Sequence, residues 1–183
     1  FIFYTLASEQ YGLMGVLFSG VYALGLLSNI GFDTALGSWW STALKSRYAF
    51  SRLVVAQLIP QTILSIVLAS SLFIFYPRDW QLDYSLIIFL GILTLLESIK
   101  KSLKVCMYLL FANYKVAPTE VILILLYTAA VWSLYLVYGT LSLKIIFIPM
   151  VVTTSLSVLF YANHLLALYI SLDTKATPSL SLR

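Results

Sequence analysis

The feature that most constrains this chain is a series of long apolar runs separated by short charged segments. Between Glu9 and Lys45 the only charged residue is Asp33, and further runs extend over Leu53–Tyr76 and Ile145–Ile170. A helix needs about 20 mainly apolar residues to cross the hydrocarbon core of a bilayer. The runs are about twice as long as a spanning barrel strand, and they lack its alternating polarity. They therefore predict a helical membrane protein.

The composition supports this prediction and excludes several classes of protein. Of the 183 residues, 61% are hydrophobic and 10% are charged, whereas a soluble domain has roughly 45–50% apolar and about 25% charged residues. A chain of this length has too little interior to bury so much apolar surface, so the surplus must face lipid. A soluble enzyme, a nucleic-acid-binding protein and a disordered chain are excluded.

The predicted fold is all-α, a polytopic bundle with five complete transmembrane helices and the end of a truncated first one. We expect one bundle over residues 1–172 and a tail over residues 173–183. Phe1–Ser8 is too short to span, so we interpret it as the end of a helix whose beginning is missing, and the chain as a fragment. The predicted complete spans lie within Tyr11–Leu44, Leu53–Tyr76, Tyr84–Phe111, Val121–Tyr138 and Ile145–Ile170.

The basic residues of the short connections predict the orientation. With a Glu9–Gly12 loop outside and strict alternation after it, seven basic residues fall inside and two fall outside. Cytoplasmic loops are enriched in Lys and Arg, so this bias places the C-terminal tail in the cytoplasm. The inside set is Lys45, Arg47, Arg52, Lys104, Lys115, Lys175 and Arg183, and the outside set is Arg78 and Lys144.

The third span carries ionisable residues where lipid is expected. Tyr84–Leu96 is too short to cross alone, so the helix must continue through Glu97, Lys100, Lys101 and Lys104. Their spacing places all four on one face of an α-helix. We expect Glu97 to pair with Lys101, four residues later. Ionisable residues inside spans usually face a cavity or a partner, which makes this face a candidate site.

Two interpretations of the lysines are open. In the first, they extend along the helix to the cytoplasmic headgroups, as lysines near helix ends often do. In the second, they line a water-filled basic cavity that receives an anionic head group. Arg52 would contribute to that cavity, and Gln57 and Gln61 would extend a polar stripe above it. Alternatively, the two glutamines form an interhelical hydrogen-bond pair beside a proline kink at Pro60.

The sequence also predicts roles for four other polar or reactive residues. Asp33 serves either structural pairing or ion coupling. His164 is expected at a helix interface rather than in a proton relay. Glu120, two residues after Pro118, is expected to cap the first turn of its helix, and Cys106 is expected to pack as a small apolar residue. One cysteine and one histidine allow neither a disulfide nor a metal cluster, so no cofactor is expected.

Two segments resemble the polysaccharide flippases of the multidrug/oligosaccharidyl-lipid/polysaccharide exporter superfamily. The first is Glu9-Gln10-Tyr11-Gly12, followed after an apolar helix by a Leu-Ser-Asn-Ile-Gly-Phe-Asp-Thr-Ala-Leu stretch over Leu27–Leu36. The second is similar to a later part of that family: a helix ends in basic residues at Lys100–Lys104, a short link follows over Phe111–Lys115, and Ala117–Glu120 opens the next helix.

The resemblance implies about one lobe of a two-lobe transporter. Such proteins move a lipid-pyrophosphate-linked oligosaccharide from the inner to the outer leaflet of a bacterial or archaeal cell membrane, without covalent chemistry. The implied partners are the lipid-linked substrate, membrane lipids and other polysaccharide-assembly membrane proteins, with no nucleic acid. The alternatives are a non-catalytic membrane subunit or scaffold, an ion-coupled exporter of the same superfamily, and a membrane enzyme using His164.

Overall fold

The described part of the chain is a bundle of α-helices. The computed structural model describes residues 8–27, 37–39, 46–75, 84–109 and 113–174. Within these residues there is no strand, so the all-α prediction is confirmed. The five long helices are α1 (Ser8–Leu27), α2 (Arg47–Phe75), α3 (Tyr84–Leu109), α4 (Asn113–Tyr138) and α5 (Leu143–Thr174).

Four of these helices are long and apolar enough to cross a membrane. The qualifying segments are Gln10–Leu27, Arg47–Leu68, Tyr114–Tyr138 and Leu143–Ile170. Helix α3 has 26 residues, which is long enough, but the charges from Glu97 onward lie too close together for an uninterrupted apolar span. The chain therefore has the helices of a multi-pass membrane protein.

Several helices begin earlier than the sequence predicted. Glu9–Gly12 forms part of the first turns of α1 rather than a loop, and α2 begins at Arg47 rather than near Leu53. Ser46 explains the second difference, because its hydroxyl accepts a hydrogen bond from the Ala49 amide at 3.1 Å and so caps α2. Helix α4 begins at Asn113, which places Pro118 inside the helix.

A tight turn joins α4 to α5. Gly139 follows the last residue of α4 with a φ of 71°, a left-handed conformation that glycine adopts without strain. Its amide donates to the Tyr135 carbonyl at 2.8 Å and closes the helix end. The Ser142 hydroxyl then accepts from the Ile145 amide at the start of α5. These contacts make α4 and α5 an antiparallel pair.

The bundle is centred on α3 and α5, which form the most extensive helix pair. Helices α1 and α2 pack on α3, α4 packs on α5, and α1 and α4 do not pack along each other. One apolar core joins the starts of α1, α3 and α5 with the end of α4, and includes Leu93, Val131 and Phe147. A second core joins the starts of α2 and α4 with the ends of α3 and α5, and includes Phe50 and Met107.

These two cores show that successive helices run in opposite directions. A side-chain clamp supports the second core, because the Arg47 guanidinium donates to the carbonyls of Tyr169 and Ile170 at 3.0 and 2.8 Å. The same guanidinium lies 5.1 Å from the centre of the Tyr169 ring. The start of α2 and the end of α5 are therefore at one end of the bundle, as the predicted topology requires.

Candidate functional site

A cavity of about 880 Å³ lies among α1, α3, α4 and α5. It extends from the middle of the bundle towards the end where α3 finishes and α4 begins. The charged residues that line it are Glu97, Lys100, Lys101, Lys104 and Glu120. The remaining lining is largely apolar and aromatic, with two threonines on α5. The cavity therefore combines a charged patch with apolar walls.

The charged face of α3 is directed into this cavity, as its spacing predicted. Lys100 lies deepest of the ion-paired lysines, with 17% of its side chain exposed, against 27% for Lys104. Glu97 accepts a hydrogen bond from the Thr154 hydroxyl of α5 at 3.0 Å. This hydrogen bond joins the charged face of α3 to α5.

The partner of Glu97 differs from the predicted one. The Lys100 Nζ atom lies 3.6 Å from Glu97 Oε1, so the pair is three residues apart rather than four. Lys101 also lines the cavity, but it forms no ion pair with any residue that the structure describes. Lys100 also contacts a carboxylate on α4.

That carboxylate belongs to Glu120, whose predicted role as a helix cap is wrong. Because α4 begins at Asn113, Glu120 lies two turns inside the helix and faces α3. Its Oε2 atom is 3.4 Å from Lys100 Nζ, and its Oε1 atom is 3.6 Å from Lys104 Nζ. The buried Tyr161 hydroxyl donates to Oε1 at 2.7 Å. Glu120 thus bridges α3, α4 and α5.

Sequence reasoning missed this residue because it placed the start of α4 too late. A signal was available in the sequence. Glu120 lies close to Pro118 and directly before an apolar run, and an acid in this position can also lie inside a helix. Two lysines without a local partner on α3 also favoured a carboxylate on another helix. Among the described residues that line the cavity, three lysines and two carboxylates carry one net positive charge.

Two other predicted site residues are not in this cluster. Arg52 is exposed on α2 and does not line the cavity, nor does any other α2 side chain that the structure describes, so its predicted contribution to the cavity is wrong. It lies in the second turn of α2, a helix that contacts α3 at Ser98 and Ser102. Asp33 lies outside the described residues.

Gln57 and Gln61 are buried on α2 and form no stripe above the cavity. The Gln61 amide donates to the Ser98 carbonyl of α3 at 2.9 Å, and its oxygen accepts from the Ser102 hydroxyl. The interhelical alternative is therefore confirmed for Gln61. Gln57 is also buried, but neither its amide nitrogen nor its oxygen has a hydrogen-bond partner among the described residues.

The two remaining candidates have structural surroundings. His164 is half-buried on α5, with Nδ1 3.1 Å from the Phe160 carbonyl and its ring 4.3 Å from that of Phe160. Cys106 is buried in the core with Met107, as predicted for a packing residue. In the described ranges, no group of three or more His, Cys, Asp or Glu residues is placed to hold a metal ion.

The cavity can bind an anion without any covalent step. Lysine ammonium groups donate strong charge-assisted hydrogen bonds to phosphate oxygens. Lys101 is available for this role, and Lys100 and Lys104 are held nearby by Glu120. Comparisons with protein families, curated proteins and solved structures find no match for this chain.

Proposed function

We propose that the protein is a membrane transporter that flips a lipid-pyrophosphate-linked oligosaccharide from the cytoplasmic to the outer leaflet during polysaccharide or lipopolysaccharide biosynthesis. The observation that carries this proposal is the cluster of Lys100, Lys101 and Lys104 inside a cavity of the helix bundle. A pyrophosphate group is strongly anionic, and the described residues that line the cavity carry a net positive charge. The sequence resemblance to polysaccharide flippases supports the same substrate class.

In this proposal the chain forms about one lobe of a two-lobe transporter, with five complete spans including α3. It resides in a bacterial or archaeal cell membrane with the C-terminal tail in the cytoplasm, among other polysaccharide-assembly proteins. The lysine end of the cavity then faces the leaflet in which the lipid-linked sugar is made. No covalent chemistry is needed, because the protein binds the head group and releases it on the other side.

The experiment that tests the proposal replaces Lys101, which has no ion pair among the described residues, and Lys100, which lies deeper in the cavity than Lys104. In vesicles containing the protein, the Lys100→Gln and Lys101→Gln double variant should lose flipping of a lipid-linked oligosaccharide. Loss of each charge-assisted bond to phosphate should weaken binding by about 1.5–3 kcal/mol. Lys104→Gln should have a smaller effect, because Lys104 is more exposed than Lys100.

The matched control is Lys115→Gln, which removes a lysine near the same end of the bundle that does not line the cavity. Membrane abundance is measured for every variant. Normal flipping by the double variant at normal abundance would contradict the proposal.

A second candidate is an ion-coupled exporter of the same superfamily. The observation in its favour is that the cavity contains two carboxylates, Glu97 and Glu120, rather than one. Intramembrane acids are typical of ion pathways. If this function is correct, replacing both acids with Gln should abolish ion-driven export while the double lysine variant retains it. The cavity itself argues against a scaffold, which would pack its intramembrane charges against a partner.

A further inference from the structure

The cavity has two chemically different surfaces. The basic groups come from α3, and both carboxylates lie beside them. The opposite walls come from α1 and from the part of α4 beyond Glu120, and they are apolar or aromatic. A small soluble phosphate would use only the first surface. A molecule that contacts both surfaces must carry an anionic end and an apolar end.

The apolar walls continue to the outside of the bundle. Helix α1 packs on α3 and α4 packs on α5, but α1 and α4 do not pack along each other. Tyr22 of α1 and Ile124 of α4 both line the cavity, although 71% and 61% of their surfaces are exposed. These residues therefore mark a lateral opening between α1 and α4 at the surface of the described bundle.

Gly25 lies at this opening. It is buried and lines the cavity, yet a Cβ atom added to it would meet no atom within 4 Å apart from its chain neighbours and the nearby backbone of α1 itself. The space beside Gly25 is therefore part of the cavity. A large side chain at this position would extend into the opening without first displacing neighbouring backbone.

We propose that the opening between α1 and α4 holds the apolar chain of a phosphate-headed lipid while its head group contacts the lysines. This inference rests on the proposed function, and it adds the site for the chain of the substrate. The arrangement keeps each part of the ligand in a favourable medium, because the phosphate stays with cations and water while the chain stays in apolar surroundings.

The test uses two probes that share the phosphate chemistry and differ in the chain. Binding of a polyprenyl diphosphate to the protein in detergent is measured by native mass spectrometry, and binding of inorganic pyrophosphate is measured by calorimetry. Gly25→Trp should lower the affinity for polyprenyl diphosphate by at least about tenfold, because the indole occupies the path of the chain. The same variant should bind inorganic pyrophosphate with unchanged affinity.

Gly15→Trp is the matched control on the same helix. Gly15 also has open space beside it, but it is exposed and does not line the cavity. It should bind both probes like the original protein. If Gly25→Trp does not fold, Ile124→Trp tests the opposite wall, with Ile122→Trp as its exposed control outside the cavity.

The outcomes separate this proposal from the one on which it rests. If the unchanged protein binds neither probe, the proposed function fails. If it binds both, and the wall variants leave the affinity for polyprenyl diphosphate unchanged, the lateral opening is overturned while the phosphate site stands. Equal losses for both probes would also overturn it, because they would place the indole in the head-group site.

Discussion

Glu120 has two opposed effects on its surroundings. It stabilises the folded bundle by neutralising Lys100 and Lys104 and by accepting the Tyr161 hydroxyl. The same contacts occupy the ammonium groups that would bind a phosphate. An anionic ligand must therefore compete with this carboxylate for the lysines, and the strength of that competition sets the net affinity of the site.

Replacing Glu120 should separate the two effects. We expect Glu120→Gln to raise the affinity for inorganic pyrophosphate by roughly three- to tenfold, since a tenfold change is about 1.4 kcal/mol. The same variant should lower the free energy of unfolding by about 1–2 kcal/mol, because two partly buried lysines lose a counter-ion. Calorimetry with pyrophosphate and thermal unfolding in detergent measure the two quantities.

Glu97→Gln is the control for this prediction. Glu97 contacts one lysine and one threonine, so its replacement should change both quantities less than Glu120→Gln does. Equal effects of the two variants would show that the net charge of the cavity matters and that the bridging geometry of Glu120 does not.

At the scale of the elements, two buried glutamines of α2 differ in their hydrogen bonding. Gln61 and Gln57 lie one turn apart on α2, and both are buried. Only Gln61 has hydrogen-bond partners on α3 in the described structure. A buried amide without partners is destabilising relative to an apolar side chain of similar shape.

The same substitution should therefore change the free energy of unfolding differently at the two positions. Gln61→Leu should lower the free energy of unfolding by about 1 kcal/mol, because the Ser102 hydroxyl loses its acceptor. Gln57→Leu should leave stability unchanged or raise it by up to about 1 kcal/mol. Thermal or denaturant unfolding in detergent compares them. A loss of stability in Gln57→Leu that matches the loss in Gln61→Leu would reveal a partner for Gln57.

The sequence allowed the helices and the charged face of α3 to be predicted, because both depend on periodicity within one segment. It did not allow the partner of Lys104 to be predicted, because Glu120 is on another helix and depends on where α4 begins. Arg52 was misplaced for a similar reason. Arg52 lies near the start of α2, as predicted. The sequence of one helix does not show which neighbouring helices it contacts, so it could not show that Arg52 lies away from the cavity.

At the scale of the whole molecule, the two apolar cores require alternating helix directions. Helix α2 ends at the opposite side of the bundle from the end of α5. We expect reporter fusions after Arg78 and after Lys175 to report opposite sides of the membrane, with the second in the cytoplasm as the basic residues predict. Two fusions on the same side would remove a span, and two reversed fusions would reject the predicted orientation.

The ion pairs between α3 and α4 also bear on how the chain enters the membrane during synthesis. In the proposed five-span arrangement, α3 crosses the membrane with three lysines in its second half, and they are made before α4. A lysine inside a spanning helix opposes insertion, by about 2.5–3.5 kcal/mol at the helix centre and by less towards its end. Glu120 then arrives on the next helix, and Tyr161 arrives later still. We expect α3 to insert poorly in a chain that stops after Leu109, and well in one that continues through α5. Glycosylation mapping of the two truncated chains would show this difference, and it would identify α3 as a segment whose insertion depends on helices that are translated after it.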